Sequence, residues 1–395
     1  MAQLNPAPDA PVLLAWARSA VQPRAGALAA LAAHEIGAPI VRALLARSGI
    51  AAAAVDALVC GNALGAGGNP ARMVALAAGL PDRVAAFSVD TQCCSGLDAV
   101  AMGAGLIASG QAELVVAGGA EAWSRAPIRQ HRPRTPEEAP RAYERPAFAP
   151  DPSRDPDLAQ AAADHAAQAG ISRTAQDAYA VLSHARTLAA RAAMAAEIVP
   201  IAAAQHDSYA RQLDAARAAR MPVTAMAATP ASAGADPRTT AVSRLAISPQ
   251  ADGAAFVLMA SPAAAARLSA GARLRWRAGM AIGAAPEMPL LAAGQAAREL
   301  LARHDLTADA LWGVELHDAF AVQALAFAAA LGIAPERLNR AGGGLARGHP
   351  IGASGAIALV RLLADMAREA PPGALGLTAI AAAGGLGSAA LIEKL

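Results

Sequence analysis

Cys93 is the first residue in this sequence whose setting suggests chemistry. It lies between the apolar run 85–89 and a helical segment that begins near Ser95. At such a strand-to-helix turn, unpaired N–H groups and the helix dipole favour a thiolate, which is a nucleophile towards thioesters. The alternative for an isolated cysteine is a buried structural role. The neighbouring Cys94 should point away from the turn and is assigned to packing.

A histidine in a glycine-rich loop is the second candidate. The segment 342–355 reads GGGLARGHPIGASG, and Pro350 fixes the chain direction directly after His349. A histidine held in this way can take the proton of Cys93 as the base of a Cys–His pair. The competing interpretation is a phosphate-binding loop, but the GK[ST] ending and the GxGxxG spacing are both absent.

The third candidate is His317, which follows the apolar run 314–316 and precedes Asp318. A strand that ends in His-Asp predicts a histidine directed into a site, with the aspartate anchoring the turn. No HExxH sequence or Cys/His spacing typical of a metal site occurs, so we predict no metal. The remaining histidines lie in polar or helical contexts and are predicted to be surface or core residues: His34, His131, His165, His184, His206 and His304.

The elements that must position these residues alternate along the chain. From residue 11 to about 120, strand-like runs alternate with helical ones, which indicates parallel strands with helices packed on the sheet faces. From about 121 to 250 the pattern changes, and residues 125–160 are rich in proline, arginine and acidic residues. Two amphipathic stretches at 158–169 and 174–192 predict an inserted, largely helical lobe outside the sheet, either a solvated cap or a cover for substrate.

A short internal similarity indicates two halves. Residues 93–96 open a helix that leads into ELVVAGGAEA, and residues 352–355 open a helix that leads into GLTAIAAAGG. The predicted division is therefore 1–120 plus 251–270 for the N-terminal half, 121–250 for the lobe and 271–395 for the C-terminal half.

Composition excludes several classes of protein. The 395 residues carry a formal net charge of +2 with 3% aromatic residues, which argues against nucleic acid binding. No basic leader precedes the first apolar stretch, and no window of about 18 apolar residues suggests a membrane span. Three cysteines do not make a disulfide framework, so we expect a cytoplasmic protein with reduced thiols.

Several segments together resemble the thiolase family over nearly the whole chain. The segment VDTQCCSGLDAVAMGAGLIASGQAELVVAGGAEAWSRAP resembles the family's nucleophile segment, and NPARMVALAAGLP resembles the stretch before it. GLARGHPIGASGA is similar to the family's Gly-His-Pro motif, SPQADGAA to the segment entering the last strand of the first half, and HDAF to its Asn-Glu-Ala-Phe motif. The joint match keeps the family's order and spacing.

The resemblance implies a five-layered αβαβα fold of two mirrored halves, a loop lobe over coenzyme A, and a homodimer or homotetramer. It also implies ping-pong transfer, in which Cys93 takes an acyl group from acetyl-CoA or another acyl-CoA, with His349 and backbone amides holding the oxyanions. No cofactor is expected beyond these thioester substrates. Contacts to substrate or coenzyme A are implied for Ser248, Phe320, Gly384 and Gly385.

Two departures from the family pattern concern the second step. His317 replaces the asparagine of many members, as in the sterol-carrier-protein and trifunctional-enzyme types. The C-terminal Cys-x-Gly motif falls on 381–383, which are all alanine, and Ala319 occupies the alternative cysteine position of the sterol-carrier type. The thiol that ordinarily removes the α-carbon proton is therefore absent from both positions. The family's His-Met element is also missing near 153–160, so acyl preference does not carry over.

Three functions remain open at this point. The first is an acyltransferase that catalyses reversible Claisen condensation and thiolysis, a role in fatty acid metabolism, with His317 or water replacing the lost cysteine. The second is a ketosynthase-like decarboxylating enzyme, or an acyltransferase to another acceptor, that uses Cys93, His317 and His349. The third is a non-catalytic thiolase-like subunit.

Overall fold

The fold is of the mixed α/β class, as seen in a computed structural model that describes residues 10–228, 236–268 and 274–395. The strands of the described part are β1 (Val12–Ser19), β2 (Gln22–Pro23), β3 (Ala57–Gly61), β4 (Ala85–Val89), β5 (Leu114–Ala122), β6 (Arg129–His131), β7 (Arg141–Tyr143), β8 (Ile198–Val199), β9 (Val223–Ala225), β10 (Val242–Ser243), β11 (Ala251–Ala260), β12 (Leu274–Gly283), β13 (Leu311–His317), β14 (Leu375–Ala382) and β15 (Leu386–Lys394).

The α-helices of the same residues are α1 (Ala33–Ser48), α2 (Pro70–Ala77), α3 (Ser95–Ala108), α4 (Leu158–Gln168), α5 (Arg173–Ala189), α6 (Arg191–Met194), α7 (Ala215–Ala219), α8 (Pro262–Arg267), α9 (Ala292–Arg303), α10 (Ala321–Leu331), α11 (Gly344–Arg347) and α12 (Ser354–Glu369). Within this described part, no helix has the length and apolarity needed to cross a membrane.

The two halves of the molecule repeat one sheet topology. In the N-terminal half the order is β1-β11-β5-β3-β4, and in the C-terminal half it is β12-β15-β14-β13. In each half the strand that follows the central helix, β5 or β14, pairs in parallel with one neighbour and antiparallel with the last long strand, β11 or β15. The sheets meet where β1 pairs with β12 at Val12–Arg275 and Leu13–Leu274. The duplication predicted from the short sequence similarity is present.

Helices separate and cover the two sheets. Helices α3 and α12 contact each other and strands of both sheets, so they form the middle layer. Helices α1 and α2 cover the outer face of the N-terminal sheet. Helix α9 covers that of the C-terminal sheet, and α10 packs on α9. The order of layers is therefore αβαβα, as the family resemblance implied.

Glycines allow the helices of the middle layer to meet closely. A Cβ atom on Gly96 in α3 would lie 2.8 Å from the carbonyl oxygen of Gly352, and one on Gly355 in α12 would lie 2.8 Å from Cβ of Leu97. Both distances are too short for real side chains, so these positions require glycine. The close approach brings the start of α3 next to the loop that precedes α12.

The lobe between β5 and β11 differs in part from its prediction. The two amphipathic stretches are helices, α4 and α5, but residues 121–157 hold the β6–β7 hairpin and no α-helix. Strand β8 also joins the main sheet, because Ile198 pairs in parallel with Arg18 of β1. Strand β5 continues to Ala122, beyond the predicted boundary at 120, since Ala122 pairs with Asp252. Backbone pairing with distant strands, which local composition does not reveal, decides these details.

Candidate active site

Cys93 lies in the turn between β4 and α3, two residues before the helix begins. The preceding residue, Gln92, has a φ of 54°, a left-handed conformation that is uncommon for a residue with a side chain. The Asp90 carboxylate stabilises this turn by accepting hydrogen bonds from the Gln92 backbone and side-chain N–H groups. The tight turn leaves Cys93 half-buried, with its Sγ 3.0 Å from Nε2 of His349.

His349 is held by contacts on its backbone and its ring. Its N–H donates to the Pro249 carbonyl at 2.7 Å, and its carbonyl accepts from Nε1 of Trp123 at 3.0 Å. On the ring, Nδ1 lies 2.7 Å from Oγ of Ser354, which donates its own proton to the Pro350 carbonyl at 3.0 Å. Because the Ser354 hydroxyl proton is used in this way, Nδ1 carries the imidazole proton and the Nε2 lone pair faces Cys93.

The resting Cys93–His349 pair is neutral. Burial raises the pKa of the Cys93 thiol to about 12, although the amides of Ala383 and of Cys93 itself act in the opposite direction. Burial lowers the pKa of His349 to about 4. Burial of the sulfur therefore opposes the thiolate that the N-terminal end of α3 favours.

His317 ends β13 and lies beside His349, with ring centroids 4.4 Å apart and an angle of 31° between the planes. Its Nε2 is buried and has no hydrogen-bond partner in the described structure. Burial, His349 and Arg347 all lower its pKa. A Cβ atom on Gly344 would lie 2.7 Å from Cε1 of His317, so the glycine leaves room for the ring.

Asp318 anchors the segment next to His317, as the sequence predicts. Its Oδ1 accepts hydrogen bonds from the amides of Gly344 and Leu345, the first residues of α11. These bonds connect the end of β13 to the helix that leads into the His349 loop. The two histidines, 32 positions apart in the numbering, are thereby kept side by side.

A small apolar cavity of about 130 Å³ opens onto the pair. Ala319 and Ala381 line this cavity together with Cys93. These are the two positions at which the family places its second cysteine. The residues that line it are Cys93, Leu158, Ile247, Ser248, Pro289, Leu290, Ala319, Phe320, Gln323, His349, Ala381, Ala382 and Ala383.

The predicted binding residues divide into two groups. Ser248 and Phe320 line the cavity, and Oγ of Ser248 donates to the Gly344 carbonyl at 2.6 Å. Gly384 and Gly385 form the turn after β14, with φ of 80° and 77°, and are not among the lining residues. Their contact with coenzyme A stays a prediction.

A larger, more polar cleft of about 480 Å³ adjoins the cavity, since both are lined by Ile247 and Ser248. Arg24, Arg244 and Tyr209 line this cleft. The site thus combines an apolar chamber at the sulfur with an approach that carries two cationic side chains.

The other thiols and several buried charges complete the surroundings. Cys94 is buried in the middle layer with its Sγ 3.6 Å from the Ile380 carbonyl, and Cys60 is buried in β3, so both pack as predicted. The sequence analysis missed Glu121, which is buried at the end of β5. An acidic residue within an apolar strand, LVVAGGAEA, is the signal that could have revealed it.

An ion cluster in the core was also missed. Arg18 of β1 binds Glu197 at 2.6 Å and Asp207 at 2.8 Å, both from the lobe. Glu197 also pairs with Arg361 of α12, which binds Asp365 at 2.8 Å. Each of these five side chains is at least nine-tenths buried. The cluster connects the lobe to β1 and to α12, and so to both halves.

Comparison with known proteins agrees with this site. The model of the thiolase N-terminal domain matches residues 12–263, and that of the thiolase C-terminal domain matches residues 272–394. The chain belongs to the thiolase family. Like other thiolases it is an acyltransferase, and the nucleophile and histidine segments identified from sequence lie together in its cavity.

Relatives are similar along their whole length. The thiolase is 36% identical to a putative acetyl-CoA C-acetyltransferase of Bacillus subtilis, covering 92% of this chain and 93% of that one. It is also 36% identical to the beta-ketoadipyl-CoA thiolase of Acinetobacter baylyi, covering 94% and 96%. Among solved structures, the Ascaris suum Acat5 thiolase in complex with coenzyme A superposes with a TM-score of 0.87 at 26% identity, covering 98% of this chain and 100% of that one.

Proposed function

We propose that this thiolase forms an acyl-Cys93 intermediate from an acyl-CoA and catalyses reversible condensation and thiolysis of 3-ketoacyl-CoA. The observation that carries the proposal is the 3.0 Å contact between Cys93 Sγ and His349 Nε2 at the wall of an apolar cavity. The unprotonated Nε2 is the acceptor that a neutral thiol needs.

A cytoplasmic location of the protein is supported by its three free cysteines.

Acylation begins when a thioester displaces water from the cavity. The Cys93 proton moves to Nε2 of His349 while the sulfur attacks the thioester carbonyl. The amides of Cys93 and Ala383, which donate towards the sulfur, are placed to stabilise the oxyanion. Collapse breaks the carbon–sulfur bond to coenzyme A, and the departing thiolate takes the proton from His349.

The second step needs a proton acceptor, and Ala319 and Ala381 offer only methyl groups. After the first coenzyme A leaves, Nε2 of His349 is again unprotonated. We assign it the α-carbon proton of the second thioester, with His317 beside it. The carbanion attacks the acyl carbon, the bond to Cys93 breaks, and the sulfur recovers the proton from His349.

The polar cleft beside Ser248 is suited to the phosphates of coenzyme A, because Arg24 and Arg244 line it. The Ascaris suum relative, whose structure contains coenzyme A, supports binding of coenzyme A by this chain. Arg244→Ala should raise the KM for acetyl-CoA about tenfold with little change in kcat. The matched control is Arg303→Ala on the exposed end of α9, and an equal effect in both variants would contradict the assignment.

We also propose that the thiolase is a homodimer formed through the β4 edge of its sheet. Strand β4 is the last strand of the N-terminal sheet, and Phe87 on it is 44% exposed. Met73 of α2 and Met102 of α3 are also exposed, at 44% and 49%. An unpaired edge beside apolar side chains is a surface that a second copy can cover. Light scattering of Phe87→Asp should detect monomers; a monomeric wild type would reject the interface.

Incubation with acetyl-CoA tests the proposed function directly. Mass spectrometry should find one acetyl group on the peptide that contains Cys93, and the absence of this adduct would contradict the proposal. A turnover assay should then compare acetyl-CoA with malonyl-CoA as the second substrate. If condensation occurs only when malonyl-CoA is the second substrate, the result contradicts the reversible reaction and assigns a decarboxylating one.

A further inference from the structure

Glu121 is a buried carboxylate that the acyl-transfer scheme above does not use. It is 1% exposed at the end of β5, and its oxygens accept four hydrogen bonds. The donors are Nδ2 of Asn62 at 2.9 Å and the amides of Ala63 at 2.9 Å, Leu64 at 3.3 Å and Gly352 at 2.9 Å. No Lys or Arg forms an ion pair with it in the described part of the chain.

The bond from Gly352 crosses between the two halves. Gly352 lies between His349 and Ser354 in the sequence. The hydroxyl of Ser354 is hydrogen-bonded to Nδ1 of His349. A Cβ atom on Gly352 would lie 2.6 Å from Cα of Asn62 and 2.9 Å from Oε2 of Glu121. The loop that carries His349 therefore packs directly on the N-terminal half. The hydrogen bond to the Glu121 carboxylate fixes its position there.

The same carboxylate acts on the sulfur through its charge. The titratable groups that face Cys93 are Glu121 from β5, Asp90 from the turn after β4, and His349. After burial, which has the largest effect, Glu121 and Asp90 both raise the pKa of the thiol, because a negative charge disfavours a thiolate. Among these groups, Glu121 carries a negative charge and also accepts a hydrogen bond from the loop that holds His349.

We propose that Glu121 is a positioning residue of the acyl-transfer site, which seats the His349 loop on the N-terminal half and keeps Cys93 in its thiol form between turnovers. This role rests on the proposed function of Cys93 and His349. A neutral thiol is a poor nucleophile towards other electrophiles. The proton then leaves only when a bound thioester lets His349 accept it.

Glu121→Gln separates the two consequences, since it keeps the shape and removes the charge. Its NH2 group replaces one of the two oxygens and cannot accept, so the two hydrogen bonds at that oxygen are lost. The loop then loosens, and kcat should fall about tenfold or more. Alkylation of Cys93 by iodoacetamide at pH 8 should become roughly threefold faster. Removing the charge lowers the pKa of the thiol, and for each unit of such a fall the thiolate rises about tenfold while its nucleophilicity drops only about threefold, so alkylation becomes faster.

Asn62→Ala is the matched control, because it removes one donor and leaves the carboxylate. It should lower kcat less than Glu121→Gln and leave the alkylation rate of Cys93 within about twofold of wild type. Glu121→Asp keeps the charge while withdrawing it from Gly352, so kcat should fall without faster alkylation. These two variants preserve the test if Glu121→Gln does not fold, which its circular dichroism and melting temperature would show.

Reduced turnover together with faster alkylation in Glu121→Gln supports the role of Glu121. Unchanged kcat, or alkylation that is unchanged or slower, overturns it. Faster alkylation in Glu121→Asp and Asn62→Ala as well would assign the effect to access rather than charge and would also overturn it. An acetyl adduct on Cys93 of the wild-type protein separates this result from a failure of the proposed function.

Discussion

The two halves of this thiolase share a backbone plan but carry different chemistry at equivalent places. The middle-layer helix of the N-terminal half follows Cys93, and that of the C-terminal half follows the His349 loop. The strand after each helix ends differently: β5 ends near the buried Glu121, and β14 ends near Ala381, which faces the cavity. One half carries the proposed nucleophile and a buried carboxyl group, and the other carries the proposed base and an apolar wall.

Duplication therefore fixes the positions of these residues, while their side chains set their roles. Close packing of α3 on α12 brings two equivalent helix starts to the same place. Only because one start carries a thiol and the other an imidazole does a proton have somewhere to go. The asymmetry between the halves can be tested residue by residue.

The largest effect should come from the nucleophile. Cys93→Ala should lower kcat by at least about 10⁴-fold and remove the acetyl adduct, since no other thiol reaches the cavity. Steady-state thiolysis of acetoacetyl-CoA measures the loss. Cys94→Ala, in the same turn but packed in the core, should keep most of the activity. Equal losses in the two variants would show that the assignment of the adjacent cysteines is wrong.

Loss of the base from the C-terminal half should rank second. His349→Asn should slow single-turnover acylation by about 10²- to 10⁴-fold, because the thiol then has no acceptor for its proton. His317→Asn keeps a polar side chain beside His349 and should cost less. If the two variants lose the same amount, the imidazoles act as one unit rather than as base and neighbour.

Placing a thiol on the apolar wall should raise activity. Ala381→Cys should accelerate acetoacetyl-CoA thiolysis by about tenfold or more, a part of the 10²- to 10⁴-fold that general acid–base catalysis typically provides. Ala381→Ser is the matched control, because a hydroxyl of similar size is not a base near neutral pH. A wild type already as fast as ordinary thiolases, or equal gains in both variants, would mean that the alanine is no defect.

The smallest effect concerns stability, and the halves should contribute with opposite signs. The lowered pKa of His349, about 4, means that its contribution is complete above about pH 6.5 and is lost as pH falls towards 4. The raised pKa of Glu121, about 7 because of burial, gives a contribution that is present below about pH 4.5 and is lost as pH rises through 7.

Between pH 5 and 8, each effect should be about 2 kcal/mol. Urea unfolding at pH 5 and 8 measures them: relative to wild type, His349→Asn should gain stability at the lower pH and Glu121→Gln at the higher one. If the free energy of unfolding has the same pH dependence in both variants and the wild type, the two halves do not contribute with opposite signs.

Much of the site was predictable because its signals are local. Cys93 at a strand-to-helix turn, His349 between glycines and before proline, and the two amphipathic stretches of the lobe depend on neighbouring residues, and a sequence displays these directly. The similarity between residues 93–96 and 352–355 predicted two duplicated halves. The absence of a thiol at Ala381 was likewise visible before any fold was known.

The candidate catalytic residues, and most of the helices and strands that carry them, were predictable from residue type and local pattern. Three features depend on long-range packing: the burial that raises the pKa of the Cys93 thiol, the buried Arg18–Glu197 pair, and the hydrogen bond from Gly352 to Glu121. The physical reason is distance along the chain. Burial and hydrogen bonding at the site come from segments up to 256 residues apart, so the environment that sets each pKa exists only after the two halves have packed.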